Sequence, residues 1–292
     1  MLKTQPKKSV KLAIVMPLGP NDHLIDTVKS IQAYTSPSRV IIVVDDTKKT
    51  ETPETLQKLG KDVHVIKADN YPGGWGGLYI KIAQGYRYAY ENFNFEVMLR
   101  IDADALVIGK NPEDDAIQYF AEYPNVGKIG SYKFDCNGNK RDFSVPAHGM
   151  KRESGFILGF YRPAVRRALR KALKPALSNG YEYAEHCLGG AYFHSADCVK
   201  LLYEQGWLTE TGVAKSKLGE DQLFSLFTRA TGYELGDFAT GGYPLGISWI
   251  GLPCSPEELI KRKKKITHSV RSWKDMDETA IRSFFAKQRA KS

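Results

Sequence analysis

Asp102, Ala103 and Asp104 place two carboxylates one residue apart, directly behind the apolar run at residues 97–101. Carboxylate oxygens are hard donors. A pair converging at a strand end suits Mg²⁺ or Mn²⁺, ions that keep positions open for phosphate oxygens. Ala103 is small, so the turn between the two acids can be tight. Such a triplet is common in surface loops. Here residues 105–108 behind it are again apolar, and an acidic cluster between two buried segments is costly unless something pairs with it.

Four further constellations could do chemistry. Asp45 and Asp46 end the run RVIIVVD and could accept hydrogen bonds from a base or a ribose, or simply cap a turn. Gly73, Gly74, Trp75, Gly76 and Gly77 read as a loop whose backbone amides could approach a donor ligand, with a helix N-terminus behind it that suits an anion. The alternative is a plain connection. Glu220 and Asp221 open a helix, where the dipole favours negative charge by about 0.3–1 kcal/mol. They are either simple charge complementation or a carboxylate base on a rigid element. His268 lies just past the basic run KRKKK at residues 261–265; near a metal site it could be a ligand.

The elements that must position these groups alternate. Residues 11–17, 39–45, 63–67 and 97–101 read as strands, and residues 22–34 and 78–91 as helices, with a short helix at 52–59 started by Thr52 and Pro53. Alternation of this kind predicts an α/β fold, a mostly parallel sheet covered by helices on both faces. Ligands then bind beyond the carboxyl ends of the strands, where Asp45, Asp46, Asp102 and Asp104 cluster. The middle, residues 136–183, reads as less regular, with a helix at 163–173. A strand at 189–194, a helix capped by Ser195, a helix at 220–231 and a capping box at Ser255 follow. Residues 1–273 are expected to form a single domain, and 274–292 a C-terminal amphipathic helix carrying Met276, Ile281 and Phe284 or Phe285 on one side.

Composition bounds the partners. The chain has 292 residues, 42% of them hydrophobic, enough for a sizeable core. A net charge of +9 favours an anionic partner: a nucleotide diphosphate, a nucleic acid or a phospholipid surface. Residues 261–265 are the obvious candidate for an anionic surface contact, or else a solvated helix face. Cys136, Cys187, Cys198 and Cys254 have no metal-ligand spacing, so reduced thiols in a cytoplasmic protein are expected. No apolar run approaches the ~20 residues of a membrane span, and neither a signal peptide nor an anchor is expected.

Taken in order, these pieces resemble the inverting GT-A glycosyltransferases over residues 11 to about 273. They are the strand KLAIVMP, a strand ending VVDD, a strand running into DAD, the segment LGGAYFHS, an E-D pair on a helix, and a late His. LGGAYFHS and GEDQ look like the fringe and β1,3-galactosyltransferase branch, and LRIDAD like the broad bacterial family. The resemblance implies a Rossmann-like GT-A fold and a role for each matching residue. Asp45 would contact the nucleoside, with Asp46 as its substitute. Asp102 would face ribose and metal, Asp104 would bind Mn²⁺ or Mg²⁺, and His268 would be a further ligand. Asp221 would be the catalytic base, with Glu220 beside it at the acceptor. Gly189 and Gly190 would border the acceptor and the donor sugar. Lys263, Lys264, Lys265 or Arg271 would add positive charge as a C-terminal loop closes over the donor.

The implied activity is metal-dependent, inverting, non-processive transfer from a nucleotide-diphosphate sugar, UDP-sugars first, to a glycan, a lipid-linked sugar or a nucleic acid. Thr47, Lys48 and Lys49 replace the Gly-Ser common after the second strand. No Q-x-x-R-W motif of processive synthases is present. The setting implied is cytoplasmic, in a bacterium or a virus-infected cell, peripheral to a membrane at most. The main rival is a viral type of glycosyltransferase acting on a hydroxymethylated base in DNA, favoured by the KRKKK run. A sugar-phosphate nucleotidyltransferase would want a Gly- and Arg-rich loop where residues 18–22 read LGPND. A non-enzymatic binding module would have no need of Asp221.

Overall fold

Strand β1 (Lys8–Leu18) explains the layering. Leu12, Ile14 and Met16 join one buried cluster, while Ala13 and Val15 join another on the opposite face. A strand alternates its side chains between faces, so two apolar faces demand cover on both sides. The computed structural model describes residues 6–19, 24–47, 58–69 and 74–291, without the side chains of 157–159. The expected helix start at Thr52 and Pro53, and Gly73 of the glycine loop, lie outside the described residues.

Seven strands form the main sheet in the order β3-β2-β1-β4-β7-β6-β8. These are β2 (Arg39–Asp45), β3 (Val63–Lys67), β4 (Phe93–Ile101), β6 (Val126–Gly130), β7 (Ala191–Ser195) and β8 (Glu234–Asp237) beside β1. All neighbours pair in parallel except β7, which runs antiparallel to both β4 and β6. The expected α/β class, with a mostly parallel sheet between helices, is therefore borne out. One face carries α1 (Leu24–Tyr34) and α3 (Pro112–Glu122), and the other α2 (Trp75–Asn92).

The middle of the chain is more helical than its composition suggests. It forms α4 (Ser144–Ser154), α5 (Phe156–Tyr161) and α6 (Pro163–Ser178). α4 buries only Met150 and Glu153, which leaves little apolar periodicity to read. α6 continues past the expected end at 173 and takes Pro175 into its last turn. α7 (Ala196–Glu204) starts on the Ser195 cap, and α8 (Glu220–Ala230) follows a 3₁₀ turn at Thr211–Lys215.

A small second sheet, β5 (Ala105–Val107), β10 (Ile266–His268) and β9 (Leu245–Ile247), closes the carboxyl side of β4. Ser255 caps α9 (Pro256–Lys261), its Oγ accepting from the Glu258 amide at 3.2 Å. The terminal helix α10 (Glu278–Arg289) buries Ile281, Arg282 and Phe285. Arg282 donates to the Ala103 carbonyl at 2.9 Å and to Thr27 Oγ1 at 3.2 Å. The C-terminal helix thus holds the backbone between the two acids.

Candidate active site

Asp102 follows β4 immediately, and its amide donates to the Gly190 carbonyl at 2.8 Å just ahead of β7. Asp104 turns into β5. Because β5 pairs with β10, with Ala105 opposite His268, the imidazole comes up beside both carboxylates. Ligand atoms of Asp102, Asp104 and His268 lie within 4.8 Å of one another. His268 Nε2 is 3.3 Å from Asp104 Oδ1 and 3.8 Å from Asp102 Oδ2.

The tautomer follows from the second nitrogen. His268 Nδ1 is 2.8 Å from the Ser248 carbonyl, which can only accept, so Nδ1 carries the proton. Nε2 is left facing two carboxylates. Three groups with lone pairs in one place need a positive charge between them, either a proton on Nε2 or a metal ion. Two carboxylates and an imidazole fit a divalent ion of the Mn²⁺ or Mg²⁺ kind, and the Ser248 carbonyl is the outer partner that orients such a ligand. Without an ion the proton serves. Burial disfavours charge on His268, but Asp104, then Asp102, outweighs it and raises its pKa. Burial would likewise raise Asp104, yet His268, Ser269 and Arg271 hold it well below the usual carboxylate range. Arg271 Nε lies 2.7 Å from Asp104 Oδ2, on a side chain 66% exposed.

The helix acids sit next door, joined by a cation that the sequence reading missed. Arg100 Nη2 lies 2.8 Å from Asp102 Oδ1 and 2.8 Å from Glu220 Oε1. Glu220 Oε2 accepts from Tyr192 at 2.7 Å. Both Glu220 oxygens are therefore engaged and the residue is buried. Its carboxylate is turned toward Arg100 and Tyr192. Burial pushes its pKa up to about 7, against the pull of Arg100.

Asp221 is oriented instead by amides. Gly189 N donates to Oδ2 at 2.9 Å and Gln222 N to Oδ1 at 2.8 Å. Its side chain keeps 15% exposure. Burial would raise its pKa, but the charges of Lys128 and Arg141 and the Gly189 amide hold it below the ordinary value, and a proton on neighbouring His186 would hold it lower still. His186 Nδ1 donates to the Ala184 carbonyl and Nε2 accepts from Arg141 at 2.9 Å, so the ring is neutral. Lys128 Nζ donates to the Asp221 carbonyl at 3.1 Å and lies 3.7 Å from the Tyr192 ring centre. Arg100, Lys128, Arg141 and His186 escaped the sequence reading. The available signal was a charged residue inside an apolar strand, as in MLRI and VGKIG, because a buried cation must have partners.

Other expected residues are placed differently. Asp45 ends β2 level with Leu18, but Lys67 Nζ at 2.8 Å and the Thr47 amide at 2.9 Å take its oxygens, and its side chain is fully buried. Asp46 pairs with Lys81. Gly76 and Gly77 lie buried in the first turn of α2. A methyl on Gly76 would sit 2.0 Å from the Val213 carbonyl, so close helix packing accounts for that glycine. Lys265 faces away from the acids: its Nζ pairs with Asp115 at 2.6 Å, at the far end of β10 from His268.

The run 261–265 is not a single basic surface. Arg262 Nε pairs with Glu258 at 2.8 Å, and Lys264 is buried with Nζ donating to the carbonyls of Ala239, Gly241 and Tyr243. The turn at Lys263, with φ of 56°, points successive side chains in different directions. Lys261 and Lys263 remain exposed. Among the described residues no helix is long and apolar enough to cross a membrane.

No protein-family model matches the chain, and no curated protein matches it. Among solved structures it is similar to the bifunctional glycosyltransferase WbbM in its apo form, with 12% identity and a TM-score of 0.49, covering 97% of this chain and 50% of that one. It is also similar to the mannosyltransferase PcManGT from Pyrobaculum calidifontis, solved with GDP-Man and Mn²⁺, at 16% identity and a TM-score of 0.45. That match covers 80% of this chain and 57% of the other. Similarity to S. aureus TarS is at 15% identity and a TM-score of 0.47, over 79% of this chain and 35% of that one. The chain thus spans about half the length of the first of these structures.

Proposed function

We propose that this chain transfers a sugar from a nucleotide-diphosphate sugar, a UDP-sugar first among them, to an acceptor hydroxyl with inversion and without processivity. The observation that carries the reading is the convergence of Asp102, Asp104 and Nε2 of His268 at the carboxyl end of β4, one shared arginine away from the acids that open α8. Asp102, Asp104 and His268 would hold Mn²⁺ or Mg²⁺, which when bound offsets the charge of the diphosphate leaving group.

The rest falls to side chains of this chain. Arg271 stands over Asp104 and adds positive charge on the side open to solvent. Asp221, held by two amides, has a lowered pKa and is ionised at neutral pH. It takes the acceptor hydroxyl proton as the new bond to the anomeric carbon forms and the bond to the nucleotide diphosphate breaks. Arg100 ties Glu220 to Asp102 and so sets the spacing between the donor and acceptor halves. The nucleoside would lie across the ends of β1 and β2, near Asp45 and Asp46, as expected of open α/β sheets.

A thermal-shift panel of UDP-, GDP-, dTDP- and ADP-sugars, with and without Mn²⁺, tests this. A ligand at a hundred times its Kd adds about 2.7 kcal/mol to the native state. A metal-dependent shift with one nucleotide family is expected, lost in Asp104→Asn and kept in Asp221→Asn. Asp221→Asn should lose transfer by about 10²–10⁴-fold. No shift with any donor, or full transfer by Asp221→Asn, would sink the reading.

A further inference from the structure

We propose that α4, α5 and α6 form a docking surface for a bilayer containing anionic phospholipid. The charge is concentrated there: residues 151–178 hold eight Lys and Arg against one acid, Glu153. Glu153 is buried and spent inward. Its Oε2 accepts from Ser216 Oγ at 2.5 Å, and its Oε1 from the Lys217 amide at 2.9 Å. The outward field of this segment is therefore entirely positive.

α6 is built for a surface. Val165, Ala168, Leu169, Ala172, Leu173 and Ala176 face the core. Arg167, Arg170 and Lys174 point outward, and none has an ion-pair partner among the described residues. Lys171, by contrast, pairs with Glu210.

Next to this cationic face stand aromatics that no core contact accounts for. Phe156 and Phe160 are 75% exposed and Tyr161 is 78% exposed. The Arg166 guanidinium lies 5.6 Å from the Phe156 ring centre, so the aromatic and cationic parts are contiguous. Exposed aromatics beside unpaired cations match the headgroup boundary of a bilayer. Rings enter the acyl edge there, and Lys or Arg meets phosphate. A nucleic-acid duplex would use the cations but leave Phe156, Phe160 and Tyr161 in water. A bilayer uses both. This surface is separate from the run 261–265, and its existence does not depend on the glycosyl-transfer reading.

Co-sedimentation of the full chain with lipid vesicles tests it. Wild type should pellet with phosphatidylcholine–phosphatidylglycerol vesicles, stay in the supernatant with pure phosphatidylcholine, and be released by salt. Combining Arg167→Gln, Arg170→Gln and Lys174→Gln should weaken binding about a hundredfold, since each cation near an anionic surface contributes about a factor of five. Combining Phe156→Ser, Phe160→Ser and Tyr161→Ser should weaken it at unchanged charge. All six side chains lie at the surface, and unchanged melting temperatures would confirm that both variants fold. The proposal is overturned if wild type ignores the anionic vesicles, if it pellets equally with neutral ones, or if either triple variant binds as well as wild type. It is also overturned if a duplex oligonucleotide is bound and the vesicles are not.

Discussion

Gly190 backs directly onto His268: a methyl group built on its Cα would lie 2.4 Å from the imidazole Cγ and 2.4 Å from Nδ1. Its φ of 92° is also one that L side chains rarely adopt. The glycine therefore does two jobs, bringing its carbonyl to the Asp102 amide and leaving room for the ring that faces both acids. Gly190→Ala should cost at least about 2 kcal/mol from strain and overpacking combined. It should also abolish the Mn²⁺-dependent thermal shift. In Gly189→Ala the new methyl would meet Glu220 Oε1 at 3.3 Å, so the metal response should survive. Equal Mn²⁺ responses in the two variants would refute this account of Gly190.

Glu220 should give the metal-free protein a measurable pH dependence. Its folded pKa is about 7 against an ordinary 4.5. Between those values the folded state holds a proton that the unfolded state has released. Stability contributed by that proton is present below pH 4.5 and is lost as pH rises through 7, by up to about 3 kcal/mol. Glu220→Gln cannot titrate, so its urea stability should fall less over the same window. Parallel stability–pH curves for the two proteins would contradict the buried, protonatable carboxyl described above.

Arg282 predicts an effect at a distance. Its guanidinium reaches the Ala103 carbonyl from the terminal helix, and Thr27 Oγ1 donates to the same carbonyl at 2.6 Å. Arg282→Ala should loosen the peptide between the two acids. Outer partners of metal ligands typically govern about 10–100-fold in affinity, and a loss at the lower end is expected in a Mn²⁺ titration. Unchanged affinity in a folded Arg282→Ala protein would mean that the helix only covers the core.

What could be read from sequence divides along physical lines. β2 and β4 announce themselves because runs such as RVIIVVD have no other stable home than a sheet buried on both faces. Asp102 and Asp104 were legible because the apolar run stops at them. His268 was legible only as a candidate. It reaches the acids through the pairing of β5 with β10, a contact across more than 160 residues that no local pattern encodes. Gly76 looked like a ligand loop because the sequence shows glycine but not the Val213 carbonyl pressed against it. Arg100 and Lys128 were overlooked inside apolar strands, where the cost of burying a cation was itself the clue.

The run 261–265 shows most directly why charge counts mislead, and it supplies a final test. Lys263 is exposed, whereas Lys264 enters the interior and donates to three carbonyls at 2.6, 3.1 and 2.7 Å in the segment between β8 and β9. Removing its ammonium would strand those acceptors in a buried place. Hydrogen bonds to a charged donor are worth about 1.5–3 kcal/mol each, and water can replace only those near the surface. Lys264→Met should therefore cost about 3 kcal/mol or more in urea unfolding. Lys263→Met, on a solvated side chain one position away, should stay within about 0.5 kcal/mol of wild type. Equal losses in the two variants would mean that the Lys264 ammonium is not the tie that holds residues 239–243 against β10.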